Sequence, residues 1–252
     1  MSTRVKAIVI GVVVVLVAGG AYFALAGKDA GDLPLIGGAI EPASCPLTGE
    51  KPKNEAFLDR PALAVKVENA PIAYPLSGLE DADIVYEELV EGGVTRFMAI
   101  YHCTDTPKAG PIRSARMVDP AIMAPTTRIL AFSGGNQTVI DNLSEHDIVQ
   151  VDESKAGEAM QRVPREGLST EHTLYGNSGR LRKVGVKDFS DAPPGEFEFG
   201  ALDDNGKTKA ARNITINFSS STTVTYEFNG ERYARSQAGA PFELEGHGQM
   251  GV

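Results

Sequence analysis

The sequence predicts an α+β fold, a mixed sheet with flanking helices, preceded by an N-terminal transmembrane helix and followed by a partial C-terminal β subdomain. Short apolar runs of period two alternate with helical stretches between residues 62 and 187, as in a layered sheet. Ala7 to Gly27 is 21 residues without a charge. Beyond the break Asp191-Ala192-Pro193-Pro194-Gly195, three further β-rich runs follow.

Composition narrows the function. The chain has 252 residues, 24 Lys plus Arg against 33 Asp plus Glu, and a formal charge of -9. That balance disfavours nucleic acid or an anionic membrane surface as main partner, since both select basic faces. Two cysteines and four scattered histidines exclude a disulfide-dense miniprotein and a four-cysteine zinc module.

As a helix, residues 7–27 span roughly 32 Å, the thickness of a hydrocarbon core. Arg4 and Lys6 precede the run, while Asp29 and Asp32 follow it, so residues 1–6 form a cytoplasmic tip and the remainder lies outside. The run is longer than a secretory h-region and its end offers only a weak small-residue site at Ala24 and Ala26. A lipid-attachment cysteine would directly follow the run, whereas Cys45 comes 18 residues after Gly27. The expectation is an uncleaved signal-anchor in a bacterial cell membrane, with residues 28–44 as a Gly- and Pro-rich tether.

Cys45 opens the folded region and Cys103 follows a predicted strand. In an oxidising compartment a disulfide is expected, and a bridge of that span stabilises by ~4 kcal/mol in the chain-entropy model. The alternative is two free thiols.

An α+β domain is expected over 45–190. Ala62 to Glu68, Ile84 to Val90 and Thr95 to His102 read as strands, with Gly92-Gly93 turning the second into the third. Ser114 to Met123 reads as a helix capped by Ser114. Arg128 to Ser133 is a short buried strand, Gln137 to Leu143 a helix, and Ile148 to Val151 a strand. Val163 to Ser178 reads as irregular, with a helix over Ser178 to Lys187. After a linker over 191–211, residues 212–252 open a β-rich domain that ends early, as in a truncated chain. Its strands are Ile214 to Phe218, Val224 to Phe228 and Tyr233 to Ser236, with Asn229-Gly230 as a hairpin turn.

Familiar chemistries are missing. There is no G-x-S-x-G, S-x-x-K or H-E-x-x-H. Gly200 to Thr208 resembles a phosphate loop but has five spacers instead of four and two carboxylates. His102, His146, His172 and His247 form no spaced ligand pair, so neither a metal nor a cofactor is expected.

The most unusual stretch is Gly110-Pro111-Ile112-Arg113-Ser114-Ala115-Arg116. Two guanidinium groups flanking a hydroxyl at a helix start suit an anionic ligand, with Arg96 able to join them. Arg96, Arg113, Ser114 and Arg116 are therefore the candidate ligand-binding set. The competing reading pairs the arginines with Glu80, Asp81, Asp83, Glu87, Glu88 and Glu91. Glu87 and Glu88 are adjacent on a strand and point to opposite faces. His172 is a weak acid/base candidate, set in an irregular loop where histidine is more often solvent-facing. Ser133-Gly134-Gly135 marks a tight turn at a sheet edge where ligands bind in α/β proteins.

CPLTG (45–49), RPALAVKVEN (60–69), PLSGLEDADIVYEELVEGGVTRFMAIY (75–101), GPIRSAR (110–116) and SGG (133–135) occur in that order. Together they resemble the bacterial YerB-like lipoprotein family, extracytoplasmic proteins of unknown function. The resemblance runs from about Cys45 to Gly239, is specific in the first half, and is looser over EHTLYGNSGRL (171–181). It implies a smaller C-terminal β domain that continues further than this chain. The missing lipid-attachment cysteine departs from the family, and a helical anchor takes its place.

The leading expectation is a non-enzymatic, membrane-anchored envelope protein that binds an anionic cell-wall precursor or an envelope protein through the arginines. The rival is an envelope enzyme acting on phosphate- or pyrophosphate-linked polyprenyl intermediates. It rests on a similarity of Thr95 to Arg116 to the LytR–CpsA–Psr ligases, with Asp119 as the nearest metal-binding or acidic candidate. A third reading gives the arginines to the fold alone.

Overall fold

Three period-two runs in the first half of the chain become the centre of a sheet. The computed structural model describes residues 43–195, 197–200 and 209–252. Strands β1 (Leu63–Glu68), β2 (Ile84–Leu89), β3 (Thr95–Tyr101), β4 (Ile129–Ala131) and β5 (Val149–Val151) form a five-stranded sheet in the order β2-β3-β1-β4-β5. The first three pair antiparallel, and β4 and β5 add in parallel. The fold is α+β, as expected.

Alternation decides the two faces. Leu63, Val65 and Val67 join Phe97, Ala99 and Tyr101 in one core. Ala62 and Ala64 join Met98, Ile100 and Phe132 in the other. Each large apolar side chain so buried contributes ~1.5–3 kcal/mol. Helix α1 (Asp119–Met123) and helix α2 (Gln137–Glu145) supply Met123, Val139 and Leu143 to the second core. Asn136 caps α2 by accepting from the Val139 N–H. A short α3 (Glu153–Ala156) precedes β6 (Met160–Arg162), which pairs antiparallel with β7 (Leu174–Gly176). Helix α4 (Ser178–Gly185), capped by Asn177, buries Leu181 in the first core.

One expected helix is half as long. The helix predicted over Ser114 to Met123 is confined to Asp119–Met123, and Ser114 caps nothing. The reason is tertiary pairing. Ile112 N–H donates to Leu174 O at 2.7 Å, Arg113 N–H to Lys66 O at 3.0 Å and Ala115 N–H to Gly134 O at 3.0 Å. Gly110 permits the close approach, with φ 144° and a site where a Cβ would lie 2.8 Å from Leu174 O. The irregular stretch from Val163 to Ser178 likewise contains β7, whose three residues are too few to read from sequence.

Residues 213–241 form a second antiparallel sheet, in the order β11-β10-β9-β8: β8 (Asn213–Asn217), β9 (Thr223–Phe228), β10 (Tyr233–Gln237) and β11 (Ala240–Pro241). The Asn229-Gly230 turn joins β9 to β10. The chain then forms the small pair β12 (Glu243–Leu244) and β13 (Gly248–Gln249). Arg235 of β10 is fully buried, 4.1 Å from the Phe242 ring centroid and 5.3 Å from that of Phe97. Its Nη2 lies 3.0 Å from Glu87 Oε1.

Cys45 and Cys103 are joined by a disulfide spanning 58 residues. Among the described residues no helix is long and apolar enough to cross a membrane. The tip at 1–6, the span expected over 7–27, tether residues 28–42, and 196 and 201–208 of the expected linker lie outside the described residues.

Candidate functional site

Charged residues at alternate positions of a buried strand need partners. In β1 those residues are Lys66 and Glu68, both on the face that carries Ala64. The register sets Glu68 opposite Arg96 of β3, and Arg96 opposite Glu88 of β2. The extended segment at Gly110–Ala115 runs beside β1: Glu68 N–H donates to Pro111 O at 2.9 Å, and Ser133 N–H donates to Arg113 O at 2.9 Å. That pairing, rather than a helix start, delivers Arg113 and Arg116 to Arg96. The helix dipole expected at Ser114 plays no part.

The floor of the site is a buried ion cluster. Lys66 Nζ donates to Asp119 Oδ1 at 2.8 Å and to Glu88 Oε1. Asp119 Oδ2 accepts from Arg116 N–H at 2.7 Å. The side chains of Lys66 and Asp119 are both 0% exposed. Burial pushes the Glu88 carboxyl above its ordinary range, against the pull of Lys66. Both oxygens of Asp119, the acidic candidate named from sequence, are thus engaged in hydrogen bonds that hold the fold.

Above this floor the three guanidinium groups come together. Arg96 is buried, and its Nη1 donates to Ser114 O at 2.9 Å. Burial first, and then Arg116 and Arg113, bring the Arg96 pKa down to about 10. Arg116 Nη1 also donates to Ser114 O, at 3.4 Å, so two of the three guanidinium groups share one acceptor. Arg113 Nη1 donates to Glu171 O at 2.7 Å, and its Nε lies 3.8 Å from Glu68 Oε1. Arg116 Nη2 lies 2.6 Å from Glu91 Oε2. The buried Nε atoms of Arg96 and Arg113 have no hydrogen-bond partner among the described residues. Ser114 takes part through its carbonyl, which accepts from Arg96.

Of the acidic run, Glu91 alone forms an ion pair with one of the three arginines. Glu88 turns to Lys66, Glu87 to Arg235, and Asp83 accepts from His102 N–H at 2.6 Å. Glu87 and Glu88 face opposite sides, as alternation requires. The counter-charge that sequence reasoning misses is Glu68.

His172 is not the solvent-facing loop residue anticipated. Its side chain is 12% exposed and Nδ1 lies 2.8 Å from Glu68 Oε2. Glu68 thereby stands between His172 and Arg113. Ser133, at the expected turn, donates its hydroxyl to Glu153 at 2.6 Å. The assembled site sets three guanidinium groups against the carboxylates of Glu68 and Glu91.

Residues 47–190, more than half of the chain, match the family described as "Protein of unknown function (DUF3048) N-terminal domain". Over 71 residues the chain is 51% identical to the protein named "Putative lipoprotein YerB" of Bacillus subtilis (strain 168). That stretch covers 28% of this chain and 21% of the relative, so it spans about a fifth of the relative's length. A crystal structure of YerB protein from Bacillus subtilis superimposes with a TM-score of 0.64 at 25% identity. The superposition covers 79% of this chain and 68% of the other.

Proposed function

We propose that the chain, which belongs to the family of the DUF3048 N-terminal domain, is a non-enzymatic cell-envelope binding module. It holds an anionic ligand at Arg96, Arg113 and Arg116. The observation that carries the reading is the convergence of these guanidinium groups: Arg96 and Arg116 both donate to Ser114 O, at 2.9 and 3.4 Å, and Arg113 lies beside Glu68, the residue opposite Arg96. Buried guanidinium N–H groups without acceptors, on Arg96 and Arg113, favour a ligand that supplies oxygen. Phosphate-bearing cell-wall precursors and acidic envelope proteins both present such oxygens.

The module works outside the cytoplasmic membrane, anchored as a single pass through residues 7–27 with its N-terminus inside. The uncharged run and the flanking Arg4 and Lys6 support this placement. A Bacillus relative named as a lipoprotein supports attachment on the extracytoplasmic side.

The test is calorimetric titration of the full chain, in neutral detergent, with inorganic pyrophosphate. Arg113→Ala with Arg116→Ala markedly lowers the heat of binding if the cluster holds the ligand. Equal affinity in both proteins removes the reading.

A second reading rests on one observation, that Glu68 orients His172 beside the same arginines. It makes the protein an envelope enzyme acting on phosphate- or pyrophosphate-linked polyprenyl intermediates. Turnover of lipid-linked pyrophosphate in the presence of Mg²⁺ replaces the binding reading with this one.

A further inference from the structure

A second concentration of positive charge lies at the first turn of α4, away from the cluster just described. Arg60, Asp105, Arg180, Arg182 and Lys183 line a cleft of about 530 Å³, with Pro61 and Val186 as apolar wall. Asp105 is the one carboxylate among the lining residues, set against four cations. In a chain of net charge -9 this is a marked local reversal.

The floor of the cleft is rigid and already shaped around an anion. Arg60 Nη1 lies 2.8 Å from Asp105 Oδ2, and Arg182 Nη1 lies 2.6 Å from Asp105 Oδ1. Backbone carbonyls lock both guanidinium groups: Arg60 Nε donates to His102 O at 2.6 Å, and Arg182 Nη2 donates to Tyr101 O at 3.0 Å. Arg182 is 5% exposed, and its buried Nε has no hydrogen-bond partner among the described residues. The rim is different. Arg180 and Lys183, three residues apart on one face of α4, are exposed.

We infer that this cleft is a second anion site, built for a phosphate group carried on an apolar or neutral body. The phosphate meets Arg180 and Lys183 at the rim, within reach of the field of Arg60 and Arg182. The body of the ligand lies on Pro61 and Val186. A carboxylate alone fits less well, because one already occupies the floor and leaves three charges unanswered. A lipid headgroup and a soluble phosphoester share this chemistry.

The test uses the full chain in neutral detergent, carrying Arg113→Ala and Arg116→Ala so that the first cluster is silent. One arm titrates glycerol 1-phosphate, and the other raises the fraction of phosphatidylglycerol in the micelles. Each arm is repeated with Arg180→Glu and Lys183→Glu added, and melting curves check that these exposed changes leave the fold intact. Arg180→Ala with Lys183→Ala gives the same readout if charge reversal disturbs α4. Binding that the second pair of changes abolishes supports the site. Restriction to the lipid arm identifies a headgroup, and restriction to the soluble arm a free phosphoester. Absence of binding in both arms, or binding that survives the changes at Arg180 and Lys183, overturns the inference.

Discussion

Lys66 and Asp119 meet 2.8 Å apart with both side chains fully buried, and their contact fastens the arginine-bearing segment to the sheet. Asp119 reaches back to the N–H of Arg116, so the position of that arginine depends on a lysine in the central strand. The site and the core are thus one construction.

Lys66→Met strands the carboxylates of Glu88 and Asp119 without their cation, and the expected loss is ~3–5 kcal/mol. The triple change Lys66→Met, Glu88→Gln, Asp119→Asn recovers part of this. Urea denaturation midpoints measure both. A loss below ~1 kcal/mol for the single change contradicts the buried cluster.

Glu88 gives the cluster a pH signature. Its carboxyl is pushed above the ordinary value of 4.5, chiefly by burial. A raised carboxyl pKa means the folded state binds more protons, so this group's contribution is present below 4.5 and is lost as pH rises through the folded value. Stability of the wild type relative to Glu88→Gln should therefore fall between pH 4.5 and neutrality. Parallel urea curves at the two pH values read it, and an unchanged difference refutes the assignment.

Glu68 competes with any anion for Arg113. Glu68→Gln removes that competitor, and affinity for pyrophosphate should rise about tenfold, or ~1.4 kcal/mol. A fall in affinity would mean that Glu68 supports the ligand rather than opposing it.

The disulfide closes a loop of 58 residues from Cys45 to Cys103. Replacing both cysteines by serine should cost ~4 kcal/mol through the entropy of the unfolded chain. A thermal midpoint that does not move on reduction argues against that role.

Legibility from sequence follows the range of the interactions. Strands β1, β2 and β3 are readable because apolar residues alternate along each, and a two-sided core rewards that alternation. The GPIRSAR segment looks helical in isolation, yet its N–H groups go to Lys66, Gly134 and Leu174, which no local pattern shows. Arg113 and Arg116 are legible as a set because they flank a hydroxyl within Gly110–Arg116, with Arg96 at the start of the preceding strand. Glu68 is not, because its partner His172 lies 104 residues away. The cleft at α4 escapes for the same reason: Arg60 and Arg182 are distant in sequence and meet through Asp105 and the Thr104 carbonyl.

The most direct measurement is the ¹⁵Nε–¹Hε NMR correlation of Arg96 and Arg113 as pyrophosphate is added to the full chain. These two buried atoms have no acceptor among the described residues. A saturable shift of both signals is the result expected of an anion held at the cluster. Signals that stay in place through millimolar pyrophosphate would show that the arginines serve the fold alone.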